Sequence, residues 1–212
     1  MDIVIAGAHG QIARHLTRLL VADGHTVRGL IRNPDHADDL IADGARPVVS
    51  DLETSSDAEL DQAVEGADAI VFAAGAGPGS GAERKETVDH QGAVRLIDAA
   101  RRTGVDRYVM VSAMGTDDPP QDDEVFSVYL RAKAAADRAL AESGLAHTIV
   151  RPGRLTDDDP SGAVTIARHV PRGEVSRADV AAVIVAVLAD PATVGQTFEV
   201  VGGDTPISEA LG

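Results

Sequence analysis

Short apolar runs that alternate with segments of helical spacing constrain this chain more than any other feature. Runs near Asp2–Ala6, Thr26–Ile31, Pro47–Val49, Ala69–Ala73, Tyr108–Val111, Thr148–Arg151 and Thr197–Val201 read as strands. They are three to six residues of mostly apolar character, the mark of strands covered on both faces of a parallel sheet. Between them, Ile12, Leu16, Leu19 and Leu20 fall on one helical stripe, as do Val94, Ile97 and Ala100, and Ala178–Leu188 is apolar with few breaks. Gly24, Gly104 and Gly144 stand where helices should stop, just before the next strand. The pattern predicts an α/β fold, a doubly wound parallel sheet of the Rossmann type. With no linker or repeat to split it, residues 1–212 are expected to form a single domain.

The first strand runs directly into Gly7-Ala8-His9-Gly10-Gln11-Ile12-Ala13. Glycine at 7 permits a tight turn, glycine at 10 lets a pyrophosphate approach the backbone, and Ala13 is small enough for helix to pack on strand. The helix N-terminus adds free N–H groups and a partial positive charge. Gly7, His9, Gly10, Gln11 and Ile12 are therefore the expected contacts of a bound dinucleotide. The end of the second strand, Val27-Arg28-Gly29-Leu30-Ile31-Arg32-Asn33-Pro34, offers no acid for a ribose hydroxyl before Asp35. Arg32 could instead fork onto a 2′-phosphate, so NADP is expected over NAD.

A second motif, Tyr129-Leu-Arg-Ala-Lys133, opens an alanine-rich helix and puts a phenol and an ammonium one turn apart on one face. The chain holds only two lysines, Lys85 and Lys133, among 19 basic residues, so a lysine at this spacing is telling. An ammonium about 4 Å from a phenol contributes roughly 4 kcal/mol at an effective dielectric of 20, enough to bring tyrosine toward neutrality. Ser112, just past the strand Tyr108–Val111, is placed to orient a substrate oxygen. Two loops follow strands and are candidate walls of a site: Gly75–Gly81, and the acidic Gly115–Glu124, which also reads as a solvated turn.

Taken in order, Gly7-x-x-Gly10-x-x-Ala13, Arg32, Asp51-Leu52, Ala73-Ala74-Gly75, Ser112, Tyr129-x-x-x-Lys133 and Arg151-Pro152-Gly153 resemble the motifs of short-chain dehydrogenase/reductases. Over nearly its whole length the chain is similar to the atypical, epimerase/dehydratase-like members that bind NAD(P). The resemblance implies that Asp51 and Leu52 flank the adenine, that Ala73, Ala74 and Gly75 pass the cofactor, and that Pro152 and Gly153 approach the nicotinamide. It also implies Ser112, Tyr129 and Lys133 as the catalytic set, with Lys133 holding the ribose as well. Asp89 stands where many relatives carry an asparagine, either relaying protons through water or pairing with Lys133. Only about sixty residues follow Gly153, a small extension on the substrate side, which implies a small substrate or a shallow pocket. The expected activity is NADP-dependent oxidation or reduction of a small carbonyl or alcohol. The same residues serve an epimerase or dehydratase with transient oxidation, and a dinucleotide-binding redox sensor or assembly module is the third reading.

A formal charge of −15 would repel nucleic acid and anionic membranes, and neither is an expected partner. Without cysteine, and with seven histidines that form no paired-ligand motif, no metal site is expected; Asp157-Asp158-Asp159 reads as a solvated loop. No apolar run approaches the roughly 20 residues of a membrane span, so a cytoplasmic protein is expected. Aspartate outnumbers glutamate by 24 to 10, a bias that suits a halophilic surface but also follows from a GC-rich genome.

Overall fold

The computed structural model describes residues 1–77 and 79–211; Pro78, within the first candidate loop, lies outside them. Among the described residues, nine strands form one sheet in the order β11-β8-β10-β6-β5-β4-β1-β2-β3, and β7 and β9 form a separate pair. The strands are β1 (Asp2–Ala6), β2 (Thr26–Ile31), β3 (Arg46–Val49), β4 (Ala69–Phe72), β5 (Arg107–Val111), β6 (Ala146–Pro152), β7 (Arg154–Thr156), β8 (Ala163–Ala167), β9 (Glu174–Ser176), β10 (Gln196–Gly202) and β11 (Thr205–Pro206). From β10 to β3 every pairing is parallel, while β8 runs antiparallel to both β10 and β11.

The helices are α1 (Gln11–Ala22), α2 (Ala37–Ala42), α3 (Asp57–Val64), α4 (Ala82–Arg84), α5 (Ala93–Thr103), α6 (Val125–Ala141), α7 (Arg177–Ala189) and α8 (Ile207–Ala210). A π-helical stretch, Lys85–Gly92, joins α4 to α5. Side chains alternate across a strand, so one sheet yields two cores. Ile3, Ile5, Val71 and Val150 pack with Leu16 and Leu20 of α1 and Val183 and Ile184 of α7 on one face. Val4, Ile70, Phe72 and Met110 pack with Leu60 of α3, Leu96 of α5 and Leu140 of α6 on the other. Each fully buried large side chain contributes roughly 1.5–3 kcal/mol of burial free energy.

All seven expected strands form, and Gly24, Gly104 and Gly144 each take the left-handed φ expected beyond a helix. Two expectations need correction. Covering on both faces fails at β3, the outer parallel strand, where Val49 is 60% exposed, and Leu19 turns away from the α1 stripe toward solvent. The short strands β7, β8, β9 and β11 were not legible: β7, β9 and β11 are only two or three residues long, and Thr165 interrupts the apolar run of β8. These late strands, with α7 and α8, make the small C-terminal extension.

The chain leaves β1 toward β2 and β3, then crosses to β4 on the other side. At this switch point the connections leave β1 and β4 in opposite directions and open a crevice at the carboxyl ends of the strands. Gly7 and Ala73–Gly75 lie there. No helix among the described residues is long and apolar enough to cross a membrane.

Candidate functional site

Two clefts meet at Ala73, Ala74 and Gly75. The first, of about 250 Å³, is lined by the glycine turn, the end of β2 and the turn after β3. Gly7 has φ +74°, and a Cβ there would lie 2.5 Å from Ala74 Cα, so only glycine lets β1 turn this close to the end of β4. The Gly10 N–H donates to Gly7 O at 2.9 Å, and α1 starts at the next residue. That bare, close-approaching backbone at a helix N-terminus fits a pyrophosphate.

Gly7, His9, Gly10, Arg32, Asp51, Leu52 and Ala73–Gly75 all line this first cleft. Ile12 faces the second cleft, whereas Gln11, Pro152 and Gly153 line neither; Leu155, two residues beyond Gly153, does. Arg32 is 55% exposed and lies 3.5 Å from Glu53, a carboxylate that the strand-end reading overlooked because it follows β3. Glu53 also pairs with Arg84 at 2.7 Å. The hydrogen bond from Thr87 holds the Glu53 carboxyl below its ordinary value, with help from Arg84 and Arg32 and against partial burial. His36, also unforeseen, stacks on His9 with ring centroids 3.7 Å apart.

The second cleft, about 570 Å³, gathers Ser112, Tyr129, Lys133 and Asp89, four residues from two helical elements and one strand end. Ile12, Val111, Val125, Phe126 and Leu155 give it a mostly apolar wall, with Phe126 66% exposed at its edge. Of the two candidate loops, Gly75–Gly81 contributes to this wall through Gly75, Gly77, Gly79 and Ser80. The acidic loop contributes no lining residue to either cleft. Instead Arg131 holds Pro120 O and Asp122 O, and Arg151 holds Asp117 at 2.6 Å.

Asp89 is fully buried in the π-helical stretch and lies 3.4 Å from Lys133 Nζ; its other oxygen accepts from the Ala76 N–H at 3.1 Å. A Cβ at Gly75 would come within 3.0 Å of the same carboxylate. Lys133 donates further to Ala74 O and Val111 O, both at 3.2 Å. Of the two roles open to Asp89, the ion pair is the one this geometry presents. The Ser112 hydroxyl is buried, makes no well-aligned hydrogen bond among the described residues, and faces the Asp137 carboxyl closely enough to help lower it.

Here the expected electrostatics reverse. Lys133 Nζ stands 6.0 Å from the Tyr129 ring centroid and is committed to Asp89. Burial pushes the Tyr129 phenol above its ordinary value; Lys133 opposes this, while Asp89 and Asp137 add to it. Desolvation outweighs one shared cation. Asp137 was missed although it continues the Tyr129, Lys133 stripe by one more helical turn. It accepts from Arg151 Nε at 3.0 Å and from Thr116 Oγ1 at 3.2 Å, tying α6 to β6. Burial raises its carboxyl, against the pull of the Ser112 hydroxyl and the Arg151 charge.

Asp117, His169 and Glu199 bring three potential ligand atoms within 4.8 Å of one another, a convergence that spacing along the chain did not suggest. The Arg151 guanidinium on Asp117 opposes a cation there.

Residues 7–191 match the NAD(P)H-binding family. The uncharacterized sugar epimerase YhfK of Bacillus subtilis is 38% identical over 212 residues, covering 100% of this chain and 99% of that protein. A solved structure from Bacillus halodurans, named for an NAD-dependent epimerase/dehydratase, is 39% identical with a TM-score of 0.92, covering 98% and 97% of the two chains. The oxidoreductase ylbE of Lactococcus lactis is 26% identical with a TM-score of 0.86, covering 100% and 95%.

Proposed function

The chain belongs to the NAD(P)H-binding family, and from that premise we propose that its 212 residues form one unit, an NADP-dependent oxidoreductase of the short-chain dehydrogenase/reductase type. Its substrate is a small carbonyl compound or the corresponding alcohol. The observation that carries this reading is the convergence of Ser112, Tyr129 and Lys133 on a cleft continuous, at Ala73–Gly75, with the glycine-turn cleft.

Gly7, His9 and Gly10 hold the pyrophosphate, with α1 beginning beneath it at Gln11 and Ile12. Asp51 and Leu52 flank the adenine. Arg32 takes the 2′-phosphate, released from Glu53 when a stronger anion arrives. When bound, NADPH supplies the hydride. The chain's own residues do the rest. Ser112, whose hydroxyl faces the Asp137 carboxyl without a well-aligned hydrogen bond to it, fixes the carbonyl oxygen. Tyr129, kept protonated at neutral pH by its burial, gives that oxygen its phenol proton. Lys133 faces the ribose, held in place by Asp89 and two carbonyls.

A second reading, epimerisation or dehydration by transient oxidation, draws support from the 38% identical relative named as a sugar epimerase. The apolar wall of Ile12, Val111, Val125, Phe126 and Leu155 works against a polyhydroxylated substrate, whose hydroxyls would go unpaired there.

The test follows NADPH absorbance across a panel of small aldehydes and ketones, then replaces Tyr129 by phenylalanine. Turnover of an accepted carbonyl should fall by about 10² to 10⁴, while NADPH affinity stays as in the wild type. A Tyr129→Phe protein at full rate refutes the mechanism. A wild type that binds NADPH and reduces nothing in the panel counts against the reductase and favours the epimerase or the binding-module reading.

A further inference from the structure

The chain meets its need for positive charge with arginine at 17 of 19 positions, yet both of its lysines face the second cleft. Lys133 is neutralised by Asp89. Lys85 is not. It is 9% exposed, donates to Gly77 O at 2.9 Å, and takes part in no ion pair among the described residues. A buried ammonium without a counter-charge is costly, and it is more conspicuous in a chain of net charge −15, where carboxylates are abundant. The surrounding wall is mostly apolar, and two of the three ammonium donors remain for a ligand.

We propose that Lys85 is a recognition post for a carboxylate on the substrate, so that the second cleft takes a small, otherwise apolar monocarboxylate. Lys85 Nζ lies 5.3 Å from the Tyr129 ring centroid, on the same cleft as Ser112. One small molecule can therefore place its carboxylate at Lys85 and its reacting oxygen between Tyr129 and Ser112. A lysine meets a phosphate only as a point charge, without the bidentate fork of a guanidinium, and Lys133, the other lysine of the cleft, is taken up by Asp89. A single ammonium among Val125, Phe126, Val111 and Leu155 suits a singly charged group on an apolar body. Lys85 and Asp89, four residues apart on the π-helical stretch, reach the cleft from one helical face and hold the glycine loop at Gly77 and Ala76.

This assignment rests on the cleft being a substrate site, and its test reads binding rather than turnover. The full chain, with and without NADP, is titrated calorimetrically with 3-phenylpropanoate and with the isosteric 3-phenylpropanamide. The wild type should bind the carboxylate at least about tenfold more tightly than the amide. Lys85→Gln keeps a donor for Gly77 O and should erase that preference, as should Lys85→Met, whereas Lys85→Arg should retain part of it. Equal binding of the two probes by the wild type, failure of the carboxylate to bind, or a preference that survives in both neutral variants overturns the assignment. NADPH titration of the same samples separates the two readings: carboxylate preference without dinucleotide binding sinks the oxidoreductase and leaves the Lys85 site standing.

Discussion

The two clefts share three residues and differ in how they hold charge. In the first, the walls are backbone and turn, and the charges are exposed: Arg32 and Arg84 lean on Glu53 at the rim, within reach of water. In the second, Lys133 and Asp89 are paired at 3.4 Å under almost complete burial, and the buried Ser112 lines the cleft beside them. Exposed pairs are worth little and exchange partners readily, whereas buried pairs are expensive to disturb and fix geometry. The first cleft is thus built to let an anionic ligand in and out. The second is built to keep three polar groups in register.

That contrast can be broken at either end. The larger effect is expected at Arg32. Arg32→Ala should weaken NADPH binding about ten- to a hundredfold, toward the lower figure because Arg32 gives up Glu53 on binding, and should leave NADH binding nearly unchanged. Fluorescence titration of both cofactors checks this; equal losses for the two would remove Arg32 from the phosphate site.

The smaller effect is expected at Asp89. Carbonyl reduction needs a protonated phenol, so its rate should stay level through neutral pH and fall as pH rises through the elevated Tyr129 pKa. Asp89 raises that pKa and engages Lys133, which lowers it. Asp89→Asn should therefore move the descending limb toward lower pH, by about one unit or less. A pH–rate profile of the two proteins decides; a limb that moves upward would show that Asp89 acts in some other way.

The difference between the clefts also explains which of them could be read from the sequence. Gly7, Gly10 and Ala13 sit in one turn, and their spacing carries their physics. Arg32 ends a strand that its own apolar run announces. Tyr129 and Lys133 are one helical turn apart, so the motif survives in one dimension. Asp137 extends that same stripe and was available to the same argument. Glu53 reaches Arg32 only because β3 lies beside β2, and Arg84 reaches Glu53 from beyond β4. Lys85 and Asp89 are four residues apart on one helical face, but their segment KETVDHQG has no apolar stripe to announce a helix. The depressed tyrosine pKa was misjudged because sequence shows the neighbouring cation and hides the desolvation around both groups. Among the strands, the seven parallel ones from β10 to β3 were legible from apolar runs, and β8 and β11, antiparallel beyond β10, were not.

The central claim is that the two clefts act as one site, passing hydride from a dinucleotide held at the glycine turn to a carbonyl held at Ser112 and Tyr129. Transfer of label tests it most directly. A carbonyl accepted by the protein is reduced with NADPH deuterated at C4, each face in turn, and the alcohol is weighed by mass spectrometry. One face should deliver a single deuterium to the carbinol carbon, with one NADP formed per alcohol, and the other face none. An isomerised or dehydrated product without net NADPH consumption, or an alcohol free of label from both faces, would contradict the account.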